Sequence, residues 1–167
     1  MKPCTEPLAI RPAVDADVEG MRALLNEIIR VGGTTAITNE LSPDEIREWF
    51  ISGAAVVSCF VAVDSEGAIA GFQSLSTYGS LPARWLDIAT FARRSRHKSG
   101  VGSALFARTH EASSKLGFSA IKASVRVDNV GGLAYCSRMG FETYLVEEGD
   151  PQGHGRVFNR VHKQFTL

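Results

Sequence analysis

At 167 residues, with 44% hydrophobic and 22% charged, the chain has the make-up of one globular domain, and neither disorder nor a fibrous repeat fits it. Eighteen basic and eighteen acidic residues cancel, which removes the broad positive field that most nucleic-acid and anionic-membrane binders use, so neither is expected as a partner. The longest apolar run, Ala54 to Val63, is broken by Ser58 and falls short of the roughly 20 residues of a membrane span; the opening residues do not read as a leader, and three cysteines without metal-ligand spacing (Cys4, Cys59, Cys136) point to a reducing cytoplasm.

Leu8 to Arg11 reads as a short first strand. Asp15 can cap the helix that follows, whose apolar positions Val18, Met21, Leu24, Leu25, Ile28 and Ile29 share one face before Gly32-Gly33 ends it. After a polar connector, Ser42-Pro43-Asp44-Glu45 supplies a capping hydroxyl, a proline at the first helical position and a glutamate at the third, with Ile46, Trp49 and Phe50 on the buried side. Ala54 to Asp64 is β-rich, and Asp64-Ser65-Glu66-Gly67 turns it back into Ala68 to Tyr78 as an antiparallel hairpin. Trp85 to Ala92 makes a further strand.

Gly102 to Leu116 repeats Leu105, Ala112 and Leu116 at helical spacing and stops at Gly117, after which Ser119 to Val125 reads as a buried strand. Asp128-Asn129 opens another helix that Met139-Gly140-Phe141 closes. Glu142 to Glu147 resumes strand character, 149–155 is a loop, and Arg156 to Phe165 is a last strand. The order βααβββαβαββ predicts an α/β (α+β) fold, a mixed and mostly antiparallel sheet of about seven strands with helices on both faces, in one domain over residues 1–167.

Chemistry enters at His97-Lys98-Ser99-Gly100-Val101-Gly102-Ser103, where a strand hands over to a helix behind Arg93, Arg94 and Arg96. Bare glycines at such a junction let an anion approach unpaired amides at the positive end of the helix; a tight turn with close packing would use them equally well. Spacing removes two familiar phosphate motifs. A dinucleotide fingerprint wants a third glycine where Leu105 stands, and a Walker loop, G-x-x-x-x-G-K-S/T, occurs nowhere.

The stretch resembles the diphosphate loop of the Gcn5-related N-acetyltransferase (GNAT) family, Q/R-x-x-G-x-G/A, with His97 in place of the usual glutamine or arginine. A second family pattern, N-x-x-A/G-x-x-x-Y-x-x-x-G-F, is matched by Asn129, Gly132, Gly140 and Phe141, with Cys136 where the tyrosine is expected and Tyr135 beside it. The connector from Thr34 to Glu40 and the Ser42-Pro43 helix look most like the small-amine and phosphinothricin-type branch.

The resemblance implies a GNAT-like fold over the whole chain and acetyl-CoA as cosubstrate, with no metal. It places the pantetheine along Thr90, Phe91 and Ala92, and the diphosphate on the turn formed by His97, Lys98, Ser99, Gly100, Val101, Gly102 and Ser103, with Asn129 among the cofactor-binding positions. The reaction it implies is direct attack of a small-molecule primary amine, an amino acid or analogue, on the thioester. An ammonium group with a pKa near ~10 must first lose a proton, and two carboxylates are candidates for taking it: Asp87 on the fourth strand and Glu40 in the connector. Tyr135 and Cys136 are the candidates for returning a proton to the departing sulfur. His110 and His162 read as packed or surface side chains, and His154 falls in the late loop.

The departures at His97 and Cys136 keep a second class open, an acyl-CoA-binding or sensing module without turnover. A protein amino-terminal acetyltransferase is a third. A homodimer is compatible with the family.

Overall fold

A computed structural model describes residues 7–93, 100–148 and 159–167. Every predicted strand has a counterpart: β1 (Ala9–Pro12), β2 (Val56–Val63), β3 (Ile69–Ser76), β4 (Trp85–Ala92), β5 (Ala120–Arg126), β6 (Glu142–Glu147) and β7 (Arg160–Thr166). They form one seven-stranded sheet in the order β1-β2-β3-β4-β5-β7-β6. All neighbours are antiparallel except β4 and β5, which are parallel.

The helices are α1 (Val18–Val31), α2 (Pro43–Ile46), α3 (Val101–Ser114) and α4 (Val130–Met139). α2 begins with the predicted reciprocal cap, in which Glu45 N–H donates to Ser42 Oγ at 3.2 Å and Ser42 N–H donates to Glu45 Oε2 at 2.7 Å. It is one turn long, because Arg47–Ile51 continue it as a wider π-wound turn. The cap expected at Asp15 is different. A 3₁₀ turn over Asp15–Asp17 precedes α1, and it is Asp17 that accepts from Val14 N–H at 2.9 Å and pairs with Arg11, while Asp15 pairs with Arg47.

Helices cover both faces. The apolar stripe of α1 and Ile46 and Phe50 pack on β2, β3 and β4, where the rings of Phe50, Phe72 and Phe91 meet edge-on or tilted at 5.1–5.9 Å between centroids. α3 and α4 cover the other face. Val101 and Leu105 sit against Phe60, Ala62 and Ala70, and Phe106, Cys136 and Phe141 sit against Leu75, Leu86, Ile121 and Ala123. Alternation along the strands therefore sends Leu86, Ile121 and Ala123 toward α3 and α4, and Asp87, Lys122 and Ser124 toward the side of α1. No helix among the described residues is long and apolar enough to cross a membrane.

The connector between α1 and α2 is fixed from inside. Asn26, buried in α1, donates from Nδ2 to Leu41 C=O at 3.0 Å and accepts from Leu41 N–H at 2.8 Å. Asn26→Ala leaves both buried backbone groups unpartnered, at about 1–3 kcal/mol each. A loss of about 2–4 kcal/mol is expected in urea or guanidinium unfolding with the m-value unchanged; a midpoint equal to that of the natural protein would show that the clamp contributes nothing.

Candidate active site

The site originates in a failure of pairing. β4 and β5 are joined only at Trp85–Ala120, Leu86–Ile121 and Asp87–Lys122, and beyond Asp87 they part. β4 remains paired to β3 as far as Ala92–Gly71, and β5 to β7 as far as Arg126–Arg160, so each strand is held on its outer side while the gap between them stays open. The gap is a cleft of about 840 Å³ that reaches from the connector to the start of α3.

Asp87 stands at the fork and lines the cleft. Burial pushes its carboxyl up to about 6, against the pull of Lys122 and Arg160, which favour the charged form. Ile88, Ala89, Thr90, Phe91 and Ala92 continue that wall. Phe91 turns into the core under α1, whereas Thr90 Oγ1 accepts from Gln73 Nε2 at 2.9 Å.

Gly100 and Gly102 have separate physical reasons. Gly100 caps α3 with φ of +74°, a left-handed backbone that strains any residue with a Cβ, and the amides of the turn after it are the unpaired first donors of the helix. Gly102 makes room for a ring, since a Cβ there would lie 2.6 Å from Tyr135. The Tyr135 hydroxyl donates to Gly102 C=O at 2.7 Å and accepts from Gln73 Nε2 at 3.2 Å. Burial pushes this phenol up to about 12, with the Gln73 bond pulling the other way. Cys136 is buried in the α3–α4 cluster yet also lines the cleft, and burial pushes its thiol up to about 11.

Asn129 serves the fold at this end of the cleft. Its Oδ1 accepts from Gly132 N–H at 2.9 Å, capping α4, and its Nδ2 donates to Thr34 C=O at 3.1 Å. Arg126 reaches the same connector, donating to Thr35 C=O at 3.2 Å while bonded to Asp128. Together they hang Thr34 to Ile37 over the cleft as its outer wall.

Of the other sequence candidates, Val101 and Gly102 line the cleft, and Ser103 is an exposed residue of the first turn of α3. Glu40 is not brought to the cleft. It is exposed and faces Arg30 at 3.3 Å, because the Asn26 clamp on Leu41 holds this end of the connector against α1. Arg93 lies along β3, donating to Ile69 C=O at 3.1 Å. Arg94, Arg96, His97, Lys98 and Ser99 lie outside the described residues, as do Cys4 and His154. Sequence reasoning missed Gln73, whose one available signal is a polar side chain amid the apolar run of β3, and Arg126 and Thr35, whose meeting across more than ninety residues leaves no local trace.

Residues 22–141 match the acetyltransferase (GNAT) family. A phosphinothricin N-acetyltransferase of Streptomyces coelicolor is 26% identical over 163 residues, 95% of this chain and 93% of that protein. Among solved structures, a GCN5-related N-acetyltransferase from Kribbella flavida matches with a TM-score of 0.81 at 23% identity, over 96% of this chain and 98% of its own. A phosphinothricin acetyltransferase from Sinorhizobium meliloti, in complex with acetyl-CoA, matches with a TM-score of 0.82 at 21% identity, over 96% and 88%. The likeness in fold to both structures covers 96% of the chain.

The raised carboxyl of Asp87 gives a stability signature. A folded-state value near 6 against an unfolded value near ~3.9 means that the native state binds the proton more tightly, so this contribution to stability is intact below pH ~4 and is lost as pH rises to about 6. The loss is on the order of 2–3 kcal/mol. Asp87→Asn removes the burden, so its stability relative to the natural protein should climb between pH 4 and pH 6 and level off above; a pH-independent difference in unfolding free energy would contradict a buried charge at the fork.

Proposed function

Because the chain belongs to the acetyltransferase (GNAT) family, we propose that residues 1–167 act as one domain that moves an acetyl group from acetyl-CoA to the primary amine of a small molecule, an amino acid or analogue. The single observation that carries this reading is the parting of β4 from β5 immediately after Asp87. It puts a raised carboxyl at the head of a slot whose one wall is an unpaired strand edge and whose far end is a helix amino terminus.

The residues fit acetyl-CoA. An extended chain bearing amides can pair with the free edge of β4 over Ile88 to Ala92 as an added strand would, and a diphosphate suits the open amides of Val101, Gly102 and Ser103. When bound, acetyl-CoA supplies the thioester carbonyl carbon that the amine attacks. Asp87 pairs with the incoming ammonium and takes a proton from it, which a carboxylate in a partly buried fork does without a large rearrangement. Arg138 and Arg160 also line the cleft, and their charge favours an acceptor that carries a carboxylate. Tyr135 and Cys136 keep their protons through the neutral range; Tyr135 fastens the start of α3 to Gln73 and the cofactor strand.

A cytoplasmic setting is supported by Cys59 and Cys136, which are free and buried. What supports a homodimer is β6, an edge strand that exposes Tyr144, Leu145 and Val146.

The test is release of free thiol from acetyl-CoA in the presence of amino acids, polyamines and peptides with free amino termini. Free amino acids or their analogues should be preferred, and activity should rise as pH passes through about 6, where Asp87 loses its proton. Asp87→Asn should lower kcat by roughly 100-fold or more with the KM for acetyl-CoA little changed. A melt stabilised by acetyl-CoA, by about 2.7 kcal/mol at 100 times Kd, together with silence on every amine would establish a binding module instead. Preference for peptides would establish an amino-terminal acetyltransferase.

A further inference from the structure

Three side chains on adjacent strands make a hydrogen-bonded chain on the Asp87 face of the sheet, and the reaction as described above uses none of them. Ser124 on β5 is the register partner of His162 on β7, and its Oγ lies 2.8 Å from His162 Nδ1. On the other side of the ring, His162 Nε2 lies 2.5 Å from Glu147 Oε2 on β6. Ser124 lines the cleft, His162 is only 4% exposed, and the Glu147 side chain is 58% exposed. The chain therefore runs from the cleft, through a buried imidazole, to solvent.

The carboxylate fixes the direction of the bonds. Glu147 accepts, so in the neutral imidazole Nε2 carries the hydrogen, Nδ1 is left with its lone pair, and the Ser124 hydroxyl donates to it. The bond to His162 also holds the Glu147 carboxyl below its ordinary range. Ser124 Oγ keeps lone pairs for a donor in the cleft. The sequence gives His162 a packed or surface role; the structure buries it with one ring nitrogen toward the cleft and the other toward a carboxylate that reaches solvent.

An acceptor that arrives as an ammonium loses two protons from nitrogen when it becomes an N-acetyl amide. One is matched by the proton that the sulfur of coenzyme A takes up; the other must leave the protein. Asp87 accounts for one acceptor. We propose that Ser124, His162 and Glu147 are the second, a relay that receives a proton from the acceptor nitrogen on the β5 wall of the cleft. In that step the N–H bond breaks as an Oγ–H bond forms on Ser124, and the original Ser124 proton passes to His162 Nδ1. The resulting imidazolium is balanced by the Glu147 carboxylate, and the proton returns through Ser124 to water once the amide has left. Ser124 is then the catalytic residue, and His162 and Glu147 are positioning residues that act through it.

The charges around the ring are mixed. Lys122 and Arg126 flank Ser124 on β5, Arg160 and Gln164 flank His162 on β7, the Tyr144 ring is 6.3 Å from the imidazole on β6, and Asp87 faces Lys122 from β4. Lys122 and Arg160 act on both Asp87 and Glu147, drawing each toward its charged form. Glu147 is the anion in contact with the ring, so it is the group that offsets the three cations when the imidazole is charged.

The relay rests on the acetyltransferase reading, and its test separates the two. Ser124→Ala and His162→Gln should each lower kcat by about 10- to 100-fold while the KM for acetyl-CoA stays the same, and each should remove an ionisation from the kcat profile that Asp87→Asn retains. Glu147→Gln, on an exposed side chain, keeps a bonding partner for the ring, removes the charge and should fall between. Nitrogen-15 NMR of the ligand-free protein should report the Nε2–H tautomer of His162, and His162→Gln should return the Glu147 carboxyl to its ordinary range. An active protein whose Ser124→Ala and Glu147→Gln variants match it in kcat and pH profile, or lose only affinity for the amine, overturns the relay alone, as does an Nδ1–H tautomer. A natural protein inactive on every amine overturns the acetyltransferase reading and the relay with it.

Discussion

β4 and β5 share three residue pairs and then diverge, and the rest of the molecule is arranged around that divergence. A parallel pair that continued would satisfy its own backbone and close the slot. Instead β4 keeps its full antiparallel ladder with β3 and β5 keeps its ladder with β7, so both walls are rigid while their facing edges are left for something else to pair with. An unpaired strand edge is usually a hazard. Here it lies inside the sheet, between the connector on one side and α4 on the other, where an extended ligand could pair with it.

Props on both faces keep the strands apart. On the α3–α4 side, Tyr135 wedges its ring over Gly102 and bonds to Gln73, which in turn holds Thr90 on β4. On the α1 side, Arg126 and Asn129 hold the carbonyls of Thr35 and Thr34. The titratable groups divide the same way. Asp87 and Ser124 face the connector side, and Tyr135 and Cys136 belong to the helical layer opposite. Groups able to take a proton and groups that hold theirs thus stand on opposite sides of one slot, with the α3 amides and the β4 edge between them.

The local chemistry of the sequence carried most of the fold. Period-2 runs became strands, the 3.6-residue stripe from Val18 to Ile29 became the buried face of α1, and the Ser42-Pro43-Asp44-Glu45 cap formed as its atoms dictate. The capping of α1 was misread because Asp17, two residues beyond Asp15, has Arg11 within reach, and a tertiary ion pair outweighs the nearest available cap. At the site, the structure brings the sequence candidates Asp87 and Gly102 to one cleft. Their partners were not legible in the sequence. Glu40 lies in the right connector but faces Arg30, and which way a connector residue faces depends on Asn26 holding Leu41 fifteen residues away, a contact with no periodicity to announce it. The Ser124–His162–Glu147 chain depends on a strand order in which β7 enters between β5 and β6, so no spacing along the chain could have brought the three together.

Tyr135 and Cys136 show how one step along a helix changes a residue's work. Successive side chains on α4 are turned by about 100°, so exchanging a phenol and a thiol between neighbouring positions redirects the phenol. At position 136 a side chain sits in the apolar cluster and borders the cleft; at 135 it reaches the first turn of α3. A phenol at 135 spends its proton on a backbone carbonyl and becomes a strut, which requires a residue without a Cβ at 102 and a bonding partner at 73. Both are present. The glycine at 102, which from sequence alone looks like clearance for an anion, is clearance for the strut that fixes where the first turn of α3 sits.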